Sequence, residues 1–173
     1  MTLGRITNNE PQGQRDRLDE NPVDDGRCFA CGDENPIGLH LKFETVGEGQ
    51  VRARTLLSTD MQGWRGFAHG GIVMTLIDEV MAHAAGAAGQ RGVSASMNIR
   101  FRRPVPLGVP IELRARVISR KMRVYNLEAG VYDADGAILA QGTGTFISRG
   151  SVEPGELGNP SRATTVRRGA QGL

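Results

Sequence analysis

The segment Gly66-Phe-Ala-His69-Gly70-Gly71 carries the residues best suited to chemistry, because it comes directly before a stretch with helical periodicity. Two adjacent glycines at the start of a helix let backbone N–H groups approach a ligand without a Cβ in the way. The unpaired N–H groups and the positive end of the helix dipole stabilise a developing oxyanion at such a place. The alternative is that Gly70 and Gly71 only allow close packing of the helix on a sheet.

Asp78 lies in an otherwise apolar part of the same helix, which is predicted to run from Gly70 to about Gly89. On a helical wheel its side chain falls at the rim of the apolar stripe, where a half-desolvated carboxylate suits a general base or nucleophile. The alternative is an exposed helix charge. Glu79 lies on the other side, four residues before His83, and this spacing predicts a surface ion pair without a catalytic role.

The spacing of His69 and Asp78 limits how the two can act together. Nine residues of helix cover about 13 Å at 1.5 Å per residue, so both side chains cannot reach one reacting carbonyl from the same chain. If both act, a second copy must place its helix antiparallel nearby, with its helix start beside the first copy's Asp78. A two-fold homodimer makes this arrangement twice.

The segments around the helix alternate between apolar and polar residues with period two, which predicts strands with one buried face. Two strands precede the helix and four follow it, and the dipeptide Asp135-Gly136 predicts a hairpin between the last two. The only long helix covers the apolar face of the antiparallel sheet, so the predicted fold class is α+β. The clearest alternating segments are Val51 to Thr55, Val93 to Phe101, Ile111 to Val117, Tyr125 to Val131 and Ala137 to Ile147.

The length of 173 residues and the hydrophobic content of 39% predict one globular domain. Polar composition predicts a disordered N-terminal tail over residues 1–27 and a disordered C-terminal tail over residues 149–173, with the domain at 28–148. The net charge is +2 and aromatic residues make up 5% of the chain, without a concentrated basic face. These values argue against nucleic-acid binding.

The uncharged runs Gly66 to Ile77 and Val80 to Gln90 are shorter than the roughly 20 residues that a membrane-spanning helix needs. The N-terminus lacks the apolar run of a secretory signal, and the chain has only two cysteines. We therefore expect no membrane contact and a cytoplasmic location.

The motif Cys28-Phe-Ala-Cys31-Gly32 would be half of a zinc site if a second pair of ligands followed. No further cysteine exists in the sequence, and His40 is the only nearby third ligand. The sequence therefore predicts no metal site. A redox pair is less favoured still, since no thioredoxin-like strand and helix follow the motif.

The motifs together resemble the hotdog-fold acyl-CoA thioesterases of the phenylacetate-pathway (PaaI-like) type. The resemblance covers residues 28–148 and keeps the order and spacing of five segments: His69-Gly70-Gly71 with Leu76-Ile77-Asp78, Gly92 to Asn98, Phe101 to Pro106, and Ala134-Asp135-Gly136. It implies a six-stranded antiparallel sheet wrapped around one long helix, homodimers or dimers of dimers, and thioester hydrolysis without a metal or other cofactor. Cys28 to Gly32 with Asn35-Pro36 resembles a structural lead-in of the same family.

The resemblance also implies roles for four residues. The base or nucleophile falls on Asp78, the oxyanion-binding N–H on Gly70, the carbonyl-side histidine on His69 and the water-positioning hydroxyl on Ser94. Some relatives carry an asparagine six residues before the histidine, where this chain has Gly63 with Gln62 beside it. A substrate-orienting contact is therefore either missing or made by Gln62.

Arg102 and Arg103 follow the third strand, and their planar guanidinium groups suit the phosphates of coenzyme A. The alternative is an ordinary solvated strand end. Small residues near the predicted site, Ala95, Gly142 and Gly144, suggest room for an acyl group.

The leading prediction is an acyl-CoA thioesterase in which Asp78 activates water and the partner's helix start holds the oxyanion. A non-catalytic acyl-CoA-binding or regulatory protein of the same fold is the alternative, because fold alone does not decide function. Hydration of an enoyl thioester is not favoured, since no matching motif exists beyond His69. The acyl chain, the choice between coenzyme A and acyl-carrier-protein thioesters, and dimer or tetramer formation stay open.

Overall fold

A computed structural model describes residues 25–152, which form six strands and one long helix in the predicted order. A 3-10 turn, Thr59–Met61, precedes the loop that leads into the helix. The elements are β1 (Phe43–Gly47), β2 (Gln50–Leu56), α1 (Gly70–Ala87), β3 (Gln90–Phe101), β4 (Pro110–Lys121), β5 (Val124–Tyr132) and β6 (Ile138–Ser151). The predicted α+β architecture is confirmed.

All neighbouring strands pair antiparallel, in the order β1-β2-β4-β5-β6-β3. The predicted hairpin joins β5 and β6. Its turn is held by Asp133, whose Oδ1 accepts hydrogen bonds from the N–H groups of Asp135 and Ala137 at 3.1 and 2.8 Å. Gly136 has a φ of +81°, a conformation that glycine adopts without strain.

The core lies between α1 and the concave face of the sheet. The helix contributes a stripe of fully buried side chains at three- and four-residue spacing: Leu76, Ile77, Val80, Met81 and Ala84. The sheet meets this stripe with side chains from β4, β5 and β6, such as Leu113, Leu127, Val131 and Phe146. This packing fixes which face of α1 is left uncovered.

Glycines in β6 let α1 approach the sheet closely. A Cβ at Gly142 would lie 3.0 Å from Ile77 Cγ2, and a Cβ at Gly144 would lie 2.8 Å from Met81 Sδ. The space beside both glycines is thus filled by side chains of the helix. The prediction that Gly142 and Gly144 leave room for an acyl group is wrong, because that room is part of the core.

Strand β3 lies at an edge of the sheet and contains a bulge. Ser94 pairs with Phe146, whereas Ser96 pairs with Thr145, so that Ala95 is the extra residue of β3. An extra residue in one strand reverses the alternation of side-chain faces beyond it.

The bulge changes which side chains of β3 face the helix. Ser94 lies on the side of α1 before the bulge, and Met97 lies on the same side after it, close to Gly144. The odd-numbered residues from Val93 to Phe101 therefore do not share one face, as strict period two predicted. The reason is that the sequence pattern cannot show an inserted residue.

The N-terminal lead-in, residues 25–42, contacts α1 at Glu79, and its Ala30 and Leu41 are part of the core. At the other end β6 runs to Ser151 and Val152 is buried. Most of the two predicted tails, residues 1–24 and 153–173, lies outside the described residues. Within residues 25–152 no helix is long and apolar enough to span a membrane.

Candidate active site

The start of α1 leaves one backbone donor without an acceptor. His69 is the N-cap, and its Nδ1 accepts a hydrogen bond of 3.0 Å from Gly71 N–H. The N–H groups of Ile72 and Val73 donate to His69 O at 2.9 and 3.2 Å. Within residues 25–152, Gly70 N–H is the group of this first turn for which the structure shows no acceptor, and Gly70 is exposed.

The same hydrogen bond fixes the tautomer of the histidine. Because Nδ1 of His69 accepts a hydrogen bond from Gly71 N–H, the neutral ring carries its proton on Nε2. His69 is exposed, so Nε2–H is a second donor at the start of the helix. Two donors at the positive end of a helix suit a carbonyl oxygen that gains negative charge.

The loop before the helix is held in place by backbone hydrogen bonds. His69 N–H donates to Met61 O at 2.8 Å, and Ala68 N–H donates to Val105 O at 2.9 Å. Gly63 N–H donates to Phe67 O at 3.0 Å. These bonds tie the loop to the segment after β3 and so set the position of the His69 ring.

Gly63 packs directly against His69. A Cβ at position 63 would lie 2.9 Å from His69 Cα, closer than real Cβ contacts. The neighbouring Gln62 uses its side-chain Oε1 to accept a hydrogen bond of 2.9 Å from Gly66 N–H. The side-chain carbonyl of Gln62 therefore serves the loop, and only its amide nitrogen remains for a substrate.

Asp78 and Ser94 meet at the middle of the helix. Ser94 Oγ donates to Asp78 Oδ1 at 2.5 Å, and Ser94 comes from the edge strand β3. Asp78 is half-buried, whereas Ser94 is exposed. The hydrogen bond orients one carboxylate oxygen and leaves Oδ2 for a water molecule or a substrate.

The two halves of the predicted site do not meet within one chain. The structure brings His69 together with Gly70, and Asp78 together with Ser94. Gly70 and Asp78 are about 12 Å apart along the helix axis, since eight residues separate them. They nevertheless share one stripe of α1 with Met74, which is exposed.

Arg102 and Arg103 lie at the exit of β3. Their backbone N–H groups both donate to Leu139 O, at 2.8 and 2.9 Å, and both residues are exposed. The preceding Phe101 is the nearest side chain to a Cβ built on Gly70, at 3.7 Å. The two cationic residues therefore lie next to the helix start rather than next to Asp78.

A separate cavity of about 850 Å³ opens on the sheet, and its lining includes neither Gly70 nor Asp78. Its polar lining comes from the face turned away from α1, and includes Asn98, Arg100, Arg114, Gln141 and Thr143. It is not the site predicted from the sequence.

A second cluster links the lead-in to α1. Cys28 Sγ lies 3.7 and 3.8 Å from the two carboxylate oxygens of Glu79, and His83 Nε2 lies 3.4 Å from Glu79 Oε1. The side chains of Glu79 and His83 are only 17% and 9% exposed. The predicted ion pair of these residues is therefore present but not at the surface, because the lead-in covers it.

Burial changes the proton affinities in this cluster. Desolvation, followed by the nearby Glu79 carboxylate, raises the pKa of the Cys31 thiol far above its ordinary value. Burial also opposes ionisation of Glu79, but hydrogen bonds from His83, Cys31 and Cys28 outweigh it and hold the pKa of Glu79 below its ordinary value. Sequence reasoning missed this grouping, since Glu79 is 51 residues away from Cys28.

Comparisons with known proteins match this chain to thioesterases. Residues 65–140 match the sequence profile of the Thioesterase superfamily. Human acyl-coenzyme A thioesterase 13 is 35% identical over 108 residues, which cover 61% of this chain and 77% of that protein. A putative esterase of Saccharolobus solfataricus is 27% identical over 111 residues, which cover 63% of this chain and 73% of that protein.

Solved structures share the fold. The thioesterase superfamily protein RHA08564 superposes with a TM-score of 0.68 at 23% identity, over 83% of this chain and 81% of that one. The PaaI protein of the phenylacetic acid degradation operon of E. coli gives 0.62 at 20% identity, over 66% and 83%. A hypothetical thioesterase of Streptococcus pneumoniae TIGR4, solved with coenzyme A, gives 0.61 at 19% identity, over 64% and 90%.

The chain therefore belongs to the thioesterase superfamily and has its hotdog fold. The predicted class, a thioester hydrolase, is confirmed at the level of the family. The roles of Asp78, Gly70, His69 and Ser94, and those of Arg102 and Arg103, stay predictions.

Proposed function

We propose that the protein hydrolyses acyl-CoA thioesters to a free acid and coenzyme A at two sites of a homodimer. The observation that carries the proposal is the stripe of α1 formed by Gly70, Met74 and Asp78. Its N-terminal end offers an unpaired N–H, and its middle offers a carboxylate oriented by Ser94. Gly70 and Met74 of this stripe are exposed, and Asp78 is half-buried beside β3.

A two-fold partner completes the site. When a second α1 runs antiparallel along the stripe, its Gly70 comes to the level of the first chain's Asp78, and the reverse holds at the other end. The free edge of β3, with exposed Val93 and Phe101, supports an interface on this side of the molecule. Each site then contains Asp78 and Ser94 of one chain and residues equivalent to His69 and Gly70 from the other.

The reaction follows from these positions. Asp78 takes a proton from a water molecule that Ser94 helps to hold, and the water oxygen bonds to the thioester carbonyl carbon. The carbonyl oxygen becomes an oxyanion that accepts hydrogen bonds from the other chain's Gly70 N–H and His69 Nε2–H. When the oxyanion collapses, the carbon–sulfur bond breaks and the departing thiolate takes the proton from Asp78.

Direct attack by the Asp78 carboxylate is the competing route. The carboxylate oxygen bonds to the thioester carbonyl carbon, the carbon–sulfur bond breaks to release the coenzyme A thiolate, and water opens the resulting mixed anhydride at the Asp78 carboxyl carbon. A single turnover in water labelled with heavy oxygen separates the two routes. Activation of water by Asp78 puts the label into the released acid in the first turnover. Direct attack instead transfers an unlabelled carboxylate oxygen to the acid and leaves the label in the peptide that contains Asp78.

Arg102 and Arg103 supply the proposed contact to the coenzyme A phosphates. The Streptococcus pneumoniae protein, which has the same fold, was solved with coenzyme A, and this supports coenzyme A as the carrier. Replacing both arginines by glutamine is expected to raise KM for acyl-CoA while leaving KM for the matching acyl-pantetheine unchanged. Equal effects on both substrates would remove phosphate binding from the proposal.

The hydrolytic role of Asp78 is tested by thiol release from short, medium, long-chain and aromatic acyl-CoAs. Asp78→Asn is expected to lower kcat by roughly 10²–10⁴ on every substrate that the wild type accepts. Asp135→Asn, the same change in the exposed turn of the β5–β6 hairpin, is the matched control and keeps wild-type activity. An Asp78→Asn protein that retains wild-type rates would contradict the proposed mechanism.

Spacing in a structural relative also supports the pairing of Asp78 with Ser94. Two single-residue variants of the Streptococcus pneumoniae protein have been solved. One replaces an aspartate by alanine, and the other replaces a threonine, sixteen positions after that aspartate, by alanine. Asp78 and Ser94 have the same separation. A threonine and a serine both offer a hydroxyl donor to a carboxylate.

One observation favours the alternative of a protein that binds acyl-CoA without hydrolysing it. Gly63 occupies the position where some relatives carry asparagine, and a Cβ there would lie 2.9 Å from His69 Cα, so a side chain fits only if the loop shifts. Equilibrium binding of acyl-CoA with no thiol release on any substrate of the panel would support the binding protein. Thiol release that depends on Asp78 would exclude it.

A further inference from the structure

We propose that Cys28, Cys31 and Glu79 bind one zinc ion, which ties the N-terminal lead-in to α1. One ligand atom from each of the three residues lies within 4.8 Å of the other two. Cys31 is buried, and Cys28 and Glu79 are half-buried. The proposal goes beyond the thioesterase function and does not rest on it.

The distances fit tetrahedral coordination. With zinc–sulfur bonds of about 2.3 Å and zinc–oxygen bonds of about 2.0–2.2 Å, two ligand atoms at a tetrahedral angle lie roughly 3.5–3.8 Å apart. Cys28 Sγ is already 3.7 and 3.8 Å from the carboxylate oxygens of Glu79. An ion can enter with only small side-chain movements.

The backbone of the lead-in is built to hold both thiols on one side. Gly32 N–H donates to Cys28 O at 2.9 Å, which closes the turn between the two cysteines. A Cβ at Gly32 would lie 2.3 Å from Gly26 O and 2.5 Å from Cys28 N, so only glycine fits this turn. Next to the turn, Leu41 N–H donates to Ala30 O at 2.9 Å, and both residues are buried in the core.

His83 supports the third ligand from behind. Its Nε2 lies 3.4 Å from Glu79 Oε1, and its ring stacks on Phe43 with centroids 3.8 Å apart. Ligating carboxylates are commonly oriented by such a hydrogen bond from a neighbouring side chain.

His40, the third ligand considered from the sequence, instead places Nδ1 3.0 Å from Gly32 O. The fourth position is left to a water molecule, because Cys28 is half-exposed.

The donor set selects the metal. Two thiolates and one carboxylate suit zinc, whereas magnesium and calcium prefer oxygen ligands only. On binding, both thiols release their protons to solvent, and the three negative ligands compensate the charge of the cation. The competing explanation is a metal-free network in which the thiols donate hydrogen bonds to Glu79.

The test uses the full chain without an affinity tag, stripped of metal under a reductant that does not bind metal. We expect one zinc per chain by elemental analysis after reconstitution and gel filtration. Cobalt in place of zinc is expected to give the near-ultraviolet charge-transfer band of a thiolate–cobalt bond, which added zinc abolishes. Absence of both signals in folded wild-type protein would overturn the proposal in favour of the metal-free network.

Variants assign the ligands. Cys28→Ala changes a half-exposed side chain and is expected to abolish the cobalt band and the rise in Tm that zinc causes in the wild type. His83→Gln is expected to weaken zinc binding roughly 10–100-fold while keeping the band at saturation. Glu79→Gln should also weaken binding, whereas Glu48→Gln, an exposed carboxylate change, is the matched control. Wild-type affinity in Cys28→Ala would contradict the proposed ligand set.

Discussion

Ser94 Oγ lies 2.5 Å from Asp78 Oδ1, although the two residues belong to an edge strand and to the helix that the sheet wraps. The contact depends on the bulge at Ala95, which turns Ser94 toward α1 and Ser96 away from it. A regular strand would place Ser94 and Met97 on opposite faces. The bulge thus supplies a hydroxyl to the carboxylate without removing an apolar residue from the core side of β3.

This geometry predicts different effects for two neighbouring serines. Ser94→Ala removes a hydrogen bond to a charged group, a loss of about 1.5–3 kcal/mol, and should lower kcat roughly 10–100-fold. Ser96→Ala makes the same change one residue beyond the bulge, on the other face, and should leave kcat within twofold of wild type. Steady-state rates for both proteins check this. Equal losses in the two variants would show that the bulge does not direct Ser94.

The unpaired N–H of Gly70 predicts a contrast between proline and alanine at this position. Proline is well tolerated at the first residue of a helix, and His69 before it already has an extended backbone with φ −62° and ψ 138°. Gly70→Pro should therefore fold but lose the oxyanion donor, which lowers kcat by roughly 10²–10³.

Gly70→Ala keeps the N–H and is the control. A Cβ there meets nothing closer than Phe101 Cζ at 3.7 Å, an ordinary contact. Its kcat should stay close to that of wild type, and circular dichroism and Tm should be similar in both variants. If Gly70→Pro were folded and as active as Gly70→Ala, the oxyanion donor would have to be another group.

His69 combines a capping role with a proposed catalytic role, and serine separates them. Serine is a good N-cap and can accept the hydrogen bond that Gly71 N–H now gives to His69 Nδ1. His69→Ser should keep Tm within a few degrees of wild type but lower kcat, because the Nε2–H donor is lost. His69→Ala should lower kcat as well and also cost about 1 kcal/mol of stability through the missing cap. Full activity of the serine variant would limit His69 to capping.

The close packing of Gly63 predicts that asparagine at this position, which some relatives carry, lowers both stability and activity. A Cβ at this position would lie 2.9 Å from His69 Cα, so the loop must shift, at a cost of about 1–3 kcal/mol. Gly63→Asn should lower both Tm and kcat. Gly66→Asn is the control, since Gly66 has open space around it and asparagine tolerates its φ of +83° better than other side chains. A gain in activity for Gly63→Asn would show that the loop adapts without moving His69.

The architecture was predictable from local patterns, because period-two segments and one apolar helix have few ways to bury their faces. The residues of the proposed site were chosen from the motif around His69 and from the position of Asp78 on the helix, and their roles stay predictions. Strict alternation did not predict that Ser94 faces the helix, since a bulge depends on the pairing of β3 with β6 and not on its own residues.

Tertiary packing accounts for the other differences. Gly142 and Gly144 look like open space in the sequence, but the space beside them is filled by Ile77 and Met81 of α1. Glu79 and His83 look like a surface pair, but a segment about fifty residues earlier in the chain buries them. A sequence pattern describes one element at a time, whereas these properties arise where two elements meet.

The position of donor and base on one helix also has a genetic consequence. In the proposed dimer, each site takes Asp78 from one subunit and Gly70 N–H from the other. A subunit with Asp78→Asn and a subunit with Gly70→Pro are each inactive as homodimers, but a mixed dimer gathers both defects in one site and leaves the other site intact. Co-expression of the two defective alleles should therefore restore activity that neither allele produces alone.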